Sequence, residues 1–221
     1  IYICPSSVAD FKMRIFNADG SEAKMCGNGI RCVGKYVYDK GYTNKLHLRI
    51  ETLSGIRTLN LQVTDGKVDN VTVDMGKAAV QEDMRLLVDG AEAVCTPVTV
   101  GNPHAVLFVN DIDKVPLTTL GPKLERHTAF PDGVNVEFVQ VLGNNALRMR
   151  VWERGSGVTM ACGTGACASV MAAISKNYCC YDAPVAVHLD GGTLVIRIAS
   201  DNTVTMTGPA EIVYEGETKL C

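Results

Sequence analysis

One short motif occurs twice in the chain, each time directly before a pattern typical of an apolar helix. The first copy, residues 20–29, reads GSEAKMCGNG, and the second, residues 155–165, reads GSGVTMACGTG. With one inserted residue, the two copies share Gly, Ser, Met, Cys and two further Gly in the same order. Each copy places a cysteine, Cys26 or Cys162, at a helix start, where unpaired backbone N–H groups and the helix dipole stabilise negative charge. The repeat therefore predicts two thiols that are activated in the same way.

The segments that follow the two motifs have the same predicted order of elements. After the first motif, apolar positions at helical spacing up to Gly41 predict a helix, and three alternating stretches predict an antiparallel meander. After the second, a helix without a charged residue is followed by three further strands. The six predicted strands are residues 46–50, 56–63, 71–75, 185–189, 193–198 and 204–206. The simplest architecture is an α+β fold in which a twisted sheet wraps round a buried helix, built twice with a cleft between.

The stretch between the two units leads into the second motif. It is predicted to contain a loop at 101–104, a linker over 111–130, and strands over 134–141 and 146–152 joined by a turn at 143–145. The second of these strands ends in Glu153 and Arg154, so a charged pair precedes the second cysteine loop directly.

The repeat also suggests how the chain divides into lobes. We expect an N-terminal lobe of residues 1–69 plus 209–221, which carries Cys26, and a C-terminal lobe of residues 70–208, which carries Cys162. The first four residues are typical of a strand already in progress, and no initiator methionine precedes them. From this beginning we expect a fragment or a processed product.

Composition excludes several classes of function. A net charge of −3 with 47% hydrophobic and 20% charged residues is typical of a soluble globular protein that does not bind nucleic acid. Nine cysteines at spacings unlike those of a disulfide scaffold or a zinc site predict a reducing compartment and no metal. Two of them, Cys32 and Cys167, lie within helical patterns and are predicted to be core residues. With no membrane-spanning apolar run and no cleavable leader pattern, we expect a cytoplasmic protein without a membrane partner.

Two activated thiols suit one kind of chemistry. A helix N-terminus lowers a thiol pKa from about 8.5 to between about 3.5 and 7.5. If one facing thiol is ionised, it can take a proton from carbon while the other delivers one to the opposite face. The adjacent glycines, Gly27, Gly29, Gly163 and Gly165, let backbone N–H groups approach a substrate carboxylate and stabilise enolate-like charge. The motif is neither a phosphate loop nor a dinucleotide fingerprint, so we expect inversion at carbon without a cofactor.

Six segments, in chain order, resemble the motif set of the diaminopimelate epimerase family. They are residues 17–22 (NADGSE), 25–32 (MCGNGIRC), 101–104 (GNPH), 133–138 (GVNVEF), 153–155 (ERG) and 161–166 (ACGTGA). The resemblance implies two pseudo-symmetric lobes, each a twisted, mostly antiparallel sheet or barrel wrapped round a central helix. It also implies cofactor-independent interconversion of LL- and meso-2,6-diaminoheptanedioate, on the bacterial route to lysine and peptidoglycan precursors, by a homodimer.

The resemblance further implies roles for individual residues. Cys26 and Cys162 would be the two catalytic acid/base residues. The substrate-binding residues that it implies are Asn17, Gly27, Asn28, Asn102, Asn135, Glu153, Arg154, Gly163 and Thr164. The three asparagines outside the cysteine motifs would bind mainly the non-reacting end of the substrate, and Arg154 would bind a carboxylate. His104, a supporting residue, would help Glu153 to set the protonation of the thiols.

Members of that family normally carry a further N-terminal segment with another substrate-binding asparagine, and the resemblance implies that this chain lacks it. Three alternative functions remain open. A racemase of the proline or hydroxyproline type would use the same two thiols with a different pocket. A dithiol redox protein would form a disulfide between Cys26 and Cys162 in its cycle, and a catalytically inactive fragment would keep only the fold.

Overall fold

The computed structural model describes residues 1–17, 20–143 and 145–217, which form three α-helices and sixteen strands. The helices are α1 (Gly27–Asp39), α2 (Leu117–Glu125) and α3 (Gly163–Ser175). The strands of the first half are β1 (Tyr2–Cys4), β2 (Phe11–Phe16), β3 (Glu22–Ala23), β4 (His47–Thr52), β5 (Gly55–Thr64), β6 (Lys67–Lys77), β7 (Ala79–Val80) and β8 (Met84–Val88). Those of the second half are β9 (Ala91–Thr99), β10 (Pro103–Phe108), β11 (Asn135–Gly143), β12 (Ala146–Glu153), β13 (Gly157–Thr159), β14 (Val185–Leu189), β15 (Gly192–Ile198) and β16 (Thr203–Pro209).

The sequence repeat is a repeat of topology. In the first lobe a short strand, β3, pairs antiparallel with β2; α1 follows; β4 lies parallel to β2 and continues antiparallel into β5 and β6. In the second lobe β13 pairs antiparallel with β12; α3 follows; β14 lies parallel to β12 and continues antiparallel into β15 and β16. The predicted α+β fold with two pseudo-symmetric lobes, each a mostly antiparallel sheet round a helix, is therefore confirmed.

The two lobes share one hydrogen-bonded sheet. Its strand order is β1-β2-β4-β5-β6-β16-β15-β14-β12-β11-β10-β9-β7, so the last strand of each repeat, β6 and β16, joins the lobes. These two strands pair antiparallel from Asn70 opposite Pro209 to Lys77 opposite Thr203. The junction fixes the position of one helix relative to the other.

The two central helices differ in how much of their surface is buried. Helix α1 places Ile30, Val33 and Val37 in the core against β5 and β6, and its other side is partly solvated. It ends before Gly41, whose φ of +75° suits glycine at a helix C-terminus. Helix α3 buries eleven of its thirteen residues, because strands of its own lobe surround it. The prediction that this uncharged helix is buried on all sides is confirmed.

The stretch between the repeats contains more regular structure than the sequence indicates. The prediction of a loop at 101–104 is wrong for its second half, because Pro103 and His104 begin β10, which pairs with β9 and β11. The linker expected over 111–130 is also wrong, since it contains a 3₁₀ turn, Ile112–Lys114, and α2. Helix α2 packs its buried leucines against a second core cluster formed with β10 and β11. Strands β7, β8 and β9 were not predicted.

Of the two helical cysteines predicted to lie in the core, Cys167 is buried and Cys32 is exposed. The Cys32 prediction is wrong because this residue points away from the face of α1 that packs on the sheet. All eight cysteines among the described residues are free thiols.

The lobe boundary between residues 69 and 70 falls inside β6 and stays a prediction. Part of the return segment, residues 218–221, lies outside the described residues, as do Ala18, Asp19 and Asn144 of the sequence motifs and turns. No helix in the described ranges is long and apolar enough to cross a membrane.

Candidate active site

Cys26 and Cys162 occupy the same position at the start of the two central helices. Each is the N-cap residue, with extended backbone angles. The Cys26 sulfur accepts the N–H of Gly29 at 3.3 Å, and the Cys162 sulfur accepts the N–H of Gly165 at 3.3 Å. An N-cap side chain that accepts this bond sits on the helix axis, where a thiolate is stabilised by the dipole. The two copies of the sequence motif thus give both thiols the same backbone surroundings.

The two helix starts adjoin each other. A Cβ built on Gly163 would lie 3.7 Å from the Cα of Gly27, and Cβ atoms on both glycines would lie 2.9 Å from the end of the Met206 side chain. A direct hydrogen bond also joins the loops, because Asn28 Nδ2 donates to the carbonyl of Ala161 at 3.1 Å. The absence of side chains at these two glycines is what allows the two N-termini to approach.

The adjoining helix starts bring several backbone N–H donors together. The first N–H groups of an α-helix have no partner inside the helix, and here they belong to Gly27 and Asn28 in α1 and to Gly163 and Thr164 in α3. Two dipoles and four donors at one place suit a carboxylate whose charge increases during reaction.

Cys162 is more deeply buried than Cys26, and it lies near two carboxylates. Only 7% of Cys162 is exposed, and burial raises the pKa of its thiol. The nearby carboxylates of Glu153 and Glu137 raise this pKa further, whereas the Thr164 hydroxyl, 3.5 Å from the sulfur, and the Gly165 N–H oppose the shift. The thiol form of Cys162 is therefore favoured.

Glu153 is itself held partly out of water. Burial raises the pKa of its carboxyl group, and the charge of Glu137 adds to the shift. Thr159 of β13 donates a hydrogen bond to Glu153 Oε1, which lowers the pKa, as do His104 and Cys162. Glu153 can therefore respond to the protonation of the thiol beside it.

His104 is the centre of a buried hydrogen-bond chain behind Cys162. Its Nδ1 lies 2.7 Å from Glu137 Oε1, and its Nε2 lies 3.0 Å from Asn102 Oδ1. Because an amide oxygen only accepts, Nε2 is the donor to Asn102, and Nδ1 faces the Glu137 carboxyl group. Glu137 is fully buried, and its Oε2 has no partner among the described residues.

The remaining predicted substrate-binding residues lie at strand ends and loops. Asn135 opens β11 beside His104, donates to the carbonyl of Pro103 at 3.1 Å and accepts the N–H of Arg154 at 2.9 Å. It thereby connects the loop before β10 to the end of β12. Asn17, at the end of β2, donates from its side chain to the Ser21 hydroxyl at 3.0 Å.

Arg154 lies at the surface. Its Nη1 donates to the carbonyl of Asp132 at 3.0 Å, and its charge is available to an anion. The structure thus brings the cysteine loops and the residues Asn102, His104, Asn135 and Glu153 together through hydrogen bonds and electrostatic contacts. Among the residues that the structure describes, no such contact joins them to Asn17 or to the Arg154 guanidinium.

Sequence reasoning missed three residues of this site. Glu137 lies within one of the family motifs but was not predicted as a site residue, although a charged residue inside the apolar run of β11 indicates a buried partner. Thr159, which supports Glu153, has no sequence signal. Arg31 is a buried cation at the start of α1, and its position within an apolar helical face could have identified it. Within the described ranges, no three His, Cys, Asp or Glu side chains are grouped as metal ligands.

Comparison with known proteins identifies the family. The family profile of diaminopimelate epimerase matches residues 1–81 and 96–213; the unmatched residues 82–95 between these ranges contain β8 and the part of β9 that pairs with it. Diaminopimelate epimerase from Bacillus licheniformis is 49% identical to this chain, over 98% of the chain and 81% of the relative. The enzyme of that name from Acetivibrio thermocellus is 50% identical, over 100% of the chain and 83% of the relative.

Solved structures with the same fold are more distant in sequence. A probable proline racemase from Agrobacterium radiobacter superposes with a TM-score of 0.76 at 16% identity, covering 96% of this chain and 75% of that one. A hydroxyproline epimerase from Agrobacterium vitis gives a TM-score of 0.74 at 20% identity, covering 94% and 71%. These likenesses concern the fold alone, whereas the sequence matches extend across both cysteine loops. The chain belongs to the diaminopimelate epimerase family.

Proposed function

We propose that this chain is an isomerase that interconverts LL- and meso-2,6-diaminoheptanedioate without a cofactor, with Cys26 and Cys162 as the two bases. The observation that carries the proposal is the pair of N-cap thiols on adjoining helix starts, in a chain about 50% identical to named diaminopimelate epimerases. The reaction would supply the meso isomer to lysine and peptidoglycan precursor synthesis.

The geometry supports a reaction that balances in protons. One thiolate removes the α-proton, and the electron pair of the broken C–H bond moves into the carboxylate to form an enediolate-like intermediate. The helix N-terminal N–H groups stabilise this added charge, because they are already oriented towards the site. The opposite thiol then donates its proton to the other face of the carbon, which inverts the centre. The two cysteines have exchanged protonation states when the product leaves.

The surroundings of the thiols suggest their resting states. Burial and the carboxylates of Glu153 and Glu137 favour the protonated form of Cys162. We therefore assign Cys162 as the proton donor of the resting enzyme. In the reverse direction Cys162 must act as the base, and Thr164 and the Gly165 N–H stabilise its thiolate.

The remaining residues would bind the substrate. Gly27, Asn28, Gly163 and Thr164 would hold the reacting carboxylate through their N–H groups. Asn17, Asn102, Asn135, Glu153 and Arg154 would bind the rest of the substrate, with Arg154 paired to a carboxylate. The partner is thus a small amino acid. Because the net charge is −3, we propose no nucleic acid partner. We further propose a cytoplasmic location, no membrane partner and, as the family resemblance implies, a homodimer.

Proton exchange in deuterium oxide tests the reaction directly. The chain is incubated with LL-diaminopimelate without added cofactor, and deuterium at the α-carbon is measured together with the LL to meso ratio. We expect deuterium uptake coupled to formation of the meso isomer. If the folded chain exchanges no α-proton of either isomer, the proposal is wrong. Exchange with proline or hydroxyproline instead would favour the racemases whose fold this chain shares.

Single substitutions test the two-base assignment. Cys26→Ala and Cys162→Ala should each abolish epimerisation, because each removes the proton carrier on one face. The matched control is Cys32→Ala, which alters an exposed cysteine of the same helix as Cys26 and should leave the rate unchanged. Near-normal turnover in either active-site variant would contradict the mechanism.

A further inference from the structure

Arg31 is a buried cation at an unfavourable place. It lies in the first turns of α1, five residues after Cys26, and is only 7% exposed. The positive end of a helix dipole favours anions, and no carboxylate of the described chain forms an ion pair with Arg31. Burial accordingly lowers the pKa of its guanidinium group. The two-base mechanism assigns it no role, so its burial needs another explanation.

The guanidinium group contacts several elements at once. Its Nε donates to the carbonyl of Pro209 at 3.2 Å, at the end of β16. Its Nη1 lies 3.2 Å from the carbonyl of Gly27 and 3.9 Å from the sulfur of Met206. These contacts tie the start of α1 to the strand that joins the two lobes.

The most specific contact is with Asn28. Arg31 Nη1 donates to Asn28 Oδ1 at 3.2 Å. Because a guanidinium group has only donors, it selects the amide oxygen of Asn28 and turns the amide nitrogen the other way. That nitrogen, Nδ2, donates at 3.1 Å to the carbonyl of Ala161, the residue directly before Cys162. One chain of hydrogen bonds therefore runs from the α1 helix to the loop that carries the opposite thiol.

We propose that Arg31 is a positioning residue of the epimerase, which orients the Asn28 amide so that the loops of Cys26 and Cys162 are held in one mutual geometry. The inference rests on the two-base function proposed above. This role explains why a cation is buried at the start of α1. Both thiols must face the same carbon from opposite sides, so the two cysteine loops must be held in a fixed arrangement. A displacement of about 1 Å in such a site costs on the order of 100-fold in rate.

A double-mutant cycle tests whether Arg31 acts through Asn28. We expect Arg31→Met and Asn28→Ala each to lower kcat about 10-fold or more, with a smaller change in KM, because the backbone N–H donors remain. The double variant should be no slower than the slower single variant, since both changes break the same link. Losses that multiply in the double variant would overturn the proposal, as would an unchanged kcat in Arg31→Met.

The control is a second buried cation on the same helix. Lys35, one turn further along α1, donates to the carbonyl of Val68 and pairs with Asp39, away from the cysteine loops. Lys35→Met should reduce stability and leave kcat within about 3-fold. An equal loss of kcat in this variant would show that any buried cation of α1 matters, and would overturn the specific role of Arg31.

A substrate-independent readout separates this inference from the proposed function. Hydrogen exchange of the backbone amides of residues 161–165, measured by mass spectrometry, should accelerate at least about 10-fold in Arg31→Met and Asn28→Ala. It should be unchanged in Lys35→Met. If Arg31→Met does not fold, Arg31→Lys replaces it, because a single ammonium group cannot reach both Pro209 and Asn28. Wild-type chain that lacks epimerase activity would overturn the proposed function, whereas unchanged exchange in the variants would overturn the role of Arg31.

Discussion

Replacement of the buried carboxylate behind Cys162 tests how its surroundings control the thiol. The positions of Glu137 Oε1 and the Cys162 sulfur follow from Gly165: a Cβ there would lie 2.7 Å from the oxygen and 3.3 Å from the sulfur, so the two are at most about 6 Å apart. Two unit charges at about 6 Å interact by about 3 kcal/mol at an effective dielectric constant of about 20, which corresponds to about 2 pKa units. Glu137→Gln removes this charge with almost no change of shape.

The expected result is a lower pKa of Cys162. Because His104 also contacts Glu137, we expect the pKa of Cys162 to fall by less than the full Coulomb interaction. The other groups that face the thiol, Glu153 and Thr164, stay in place. At a fixed pH below the pKa, the thiolate fraction and the alkylation rate should therefore rise about 10-fold.

The assay follows iodoacetamide modification of the Cys162 peptide by mass spectrometry over a range of pH. The matched control is Asp39→Asn, which removes another buried carboxylate, at the far end of α1. That variant should not shift the Cys162 profile. If folded Glu137→Gln showed the wild-type profile, Glu137 would not influence the thiol, and the electrostatic reasoning would be wrong.

Three further predictions concern close packing and buried thiols. Gly165→Ala would place a methyl group 2.7 Å from a Glu137 oxygen and 3.3 Å from the Cys162 sulfur, so kcat should fall at least about 10-fold in steady-state assays. Burial raises the pKa of Cys95 to about 11. In this range of pH the folded state therefore keeps the Cys95 proton while the unfolded state loses it. Between about pH 9 and 11 the free energy of unfolding should fall by up to about 1.4 kcal/mol per pH unit. Urea denaturation at several pH values should show that this free energy falls less steeply with pH in Cys95→Ala. Gly121→Ala would place a Cβ 2.6 Å from the Trp152 ring and should cost about 1–3 kcal/mol of stability, measured by thermal unfolding.

The parts of the fold that could be predicted are those that the chain repeats. Helices α1 and α3 follow directly from glycine-rich N-termini and apolar periodicity, and their starts lie within two residues of the predicted positions. The two meanders follow from alternating apolar residues separated by turn signals, as in β14, whose observed bounds match the prediction. Local pattern was sufficient wherever the local preference and the tertiary environment agree.

The parts that could not be predicted depend on partners distant in sequence. Helix α2 contains Pro122 and Gly121, which argue against a helix locally. Its stability comes from burying Leu117 and Leu124, and the glycine is required because the Trp152 ring packs on it. A residue of β12, about thirty positions later in the chain, thus determines that α2 has glycine at position 121. The missed strand β8 and the part of β9 that pairs with it, residues 91–95, lie outside the segments that the family profile matches, whereas the rest of β9 pairs with β7 and β10.

The sequence repeat predicts two thiols that are activated in the same way, and the structure shows that they are buried to different extents. Backbone geometry is indeed repeated, since each sulfur accepts an N–H bond of the same length. The side chains around them are not all repeated, because β1, which pairs antiparallel with β2 as β11 pairs with β12, carries no carboxylate that would correspond to Glu137. A two-base mechanism needs one thiol and one thiolate at the same time, and two identical environments would favour neither assignment. The duplicated backbone places the two cysteines alike, while the buried carboxylates of Glu153 and Glu137 favour the thiol form of Cys162.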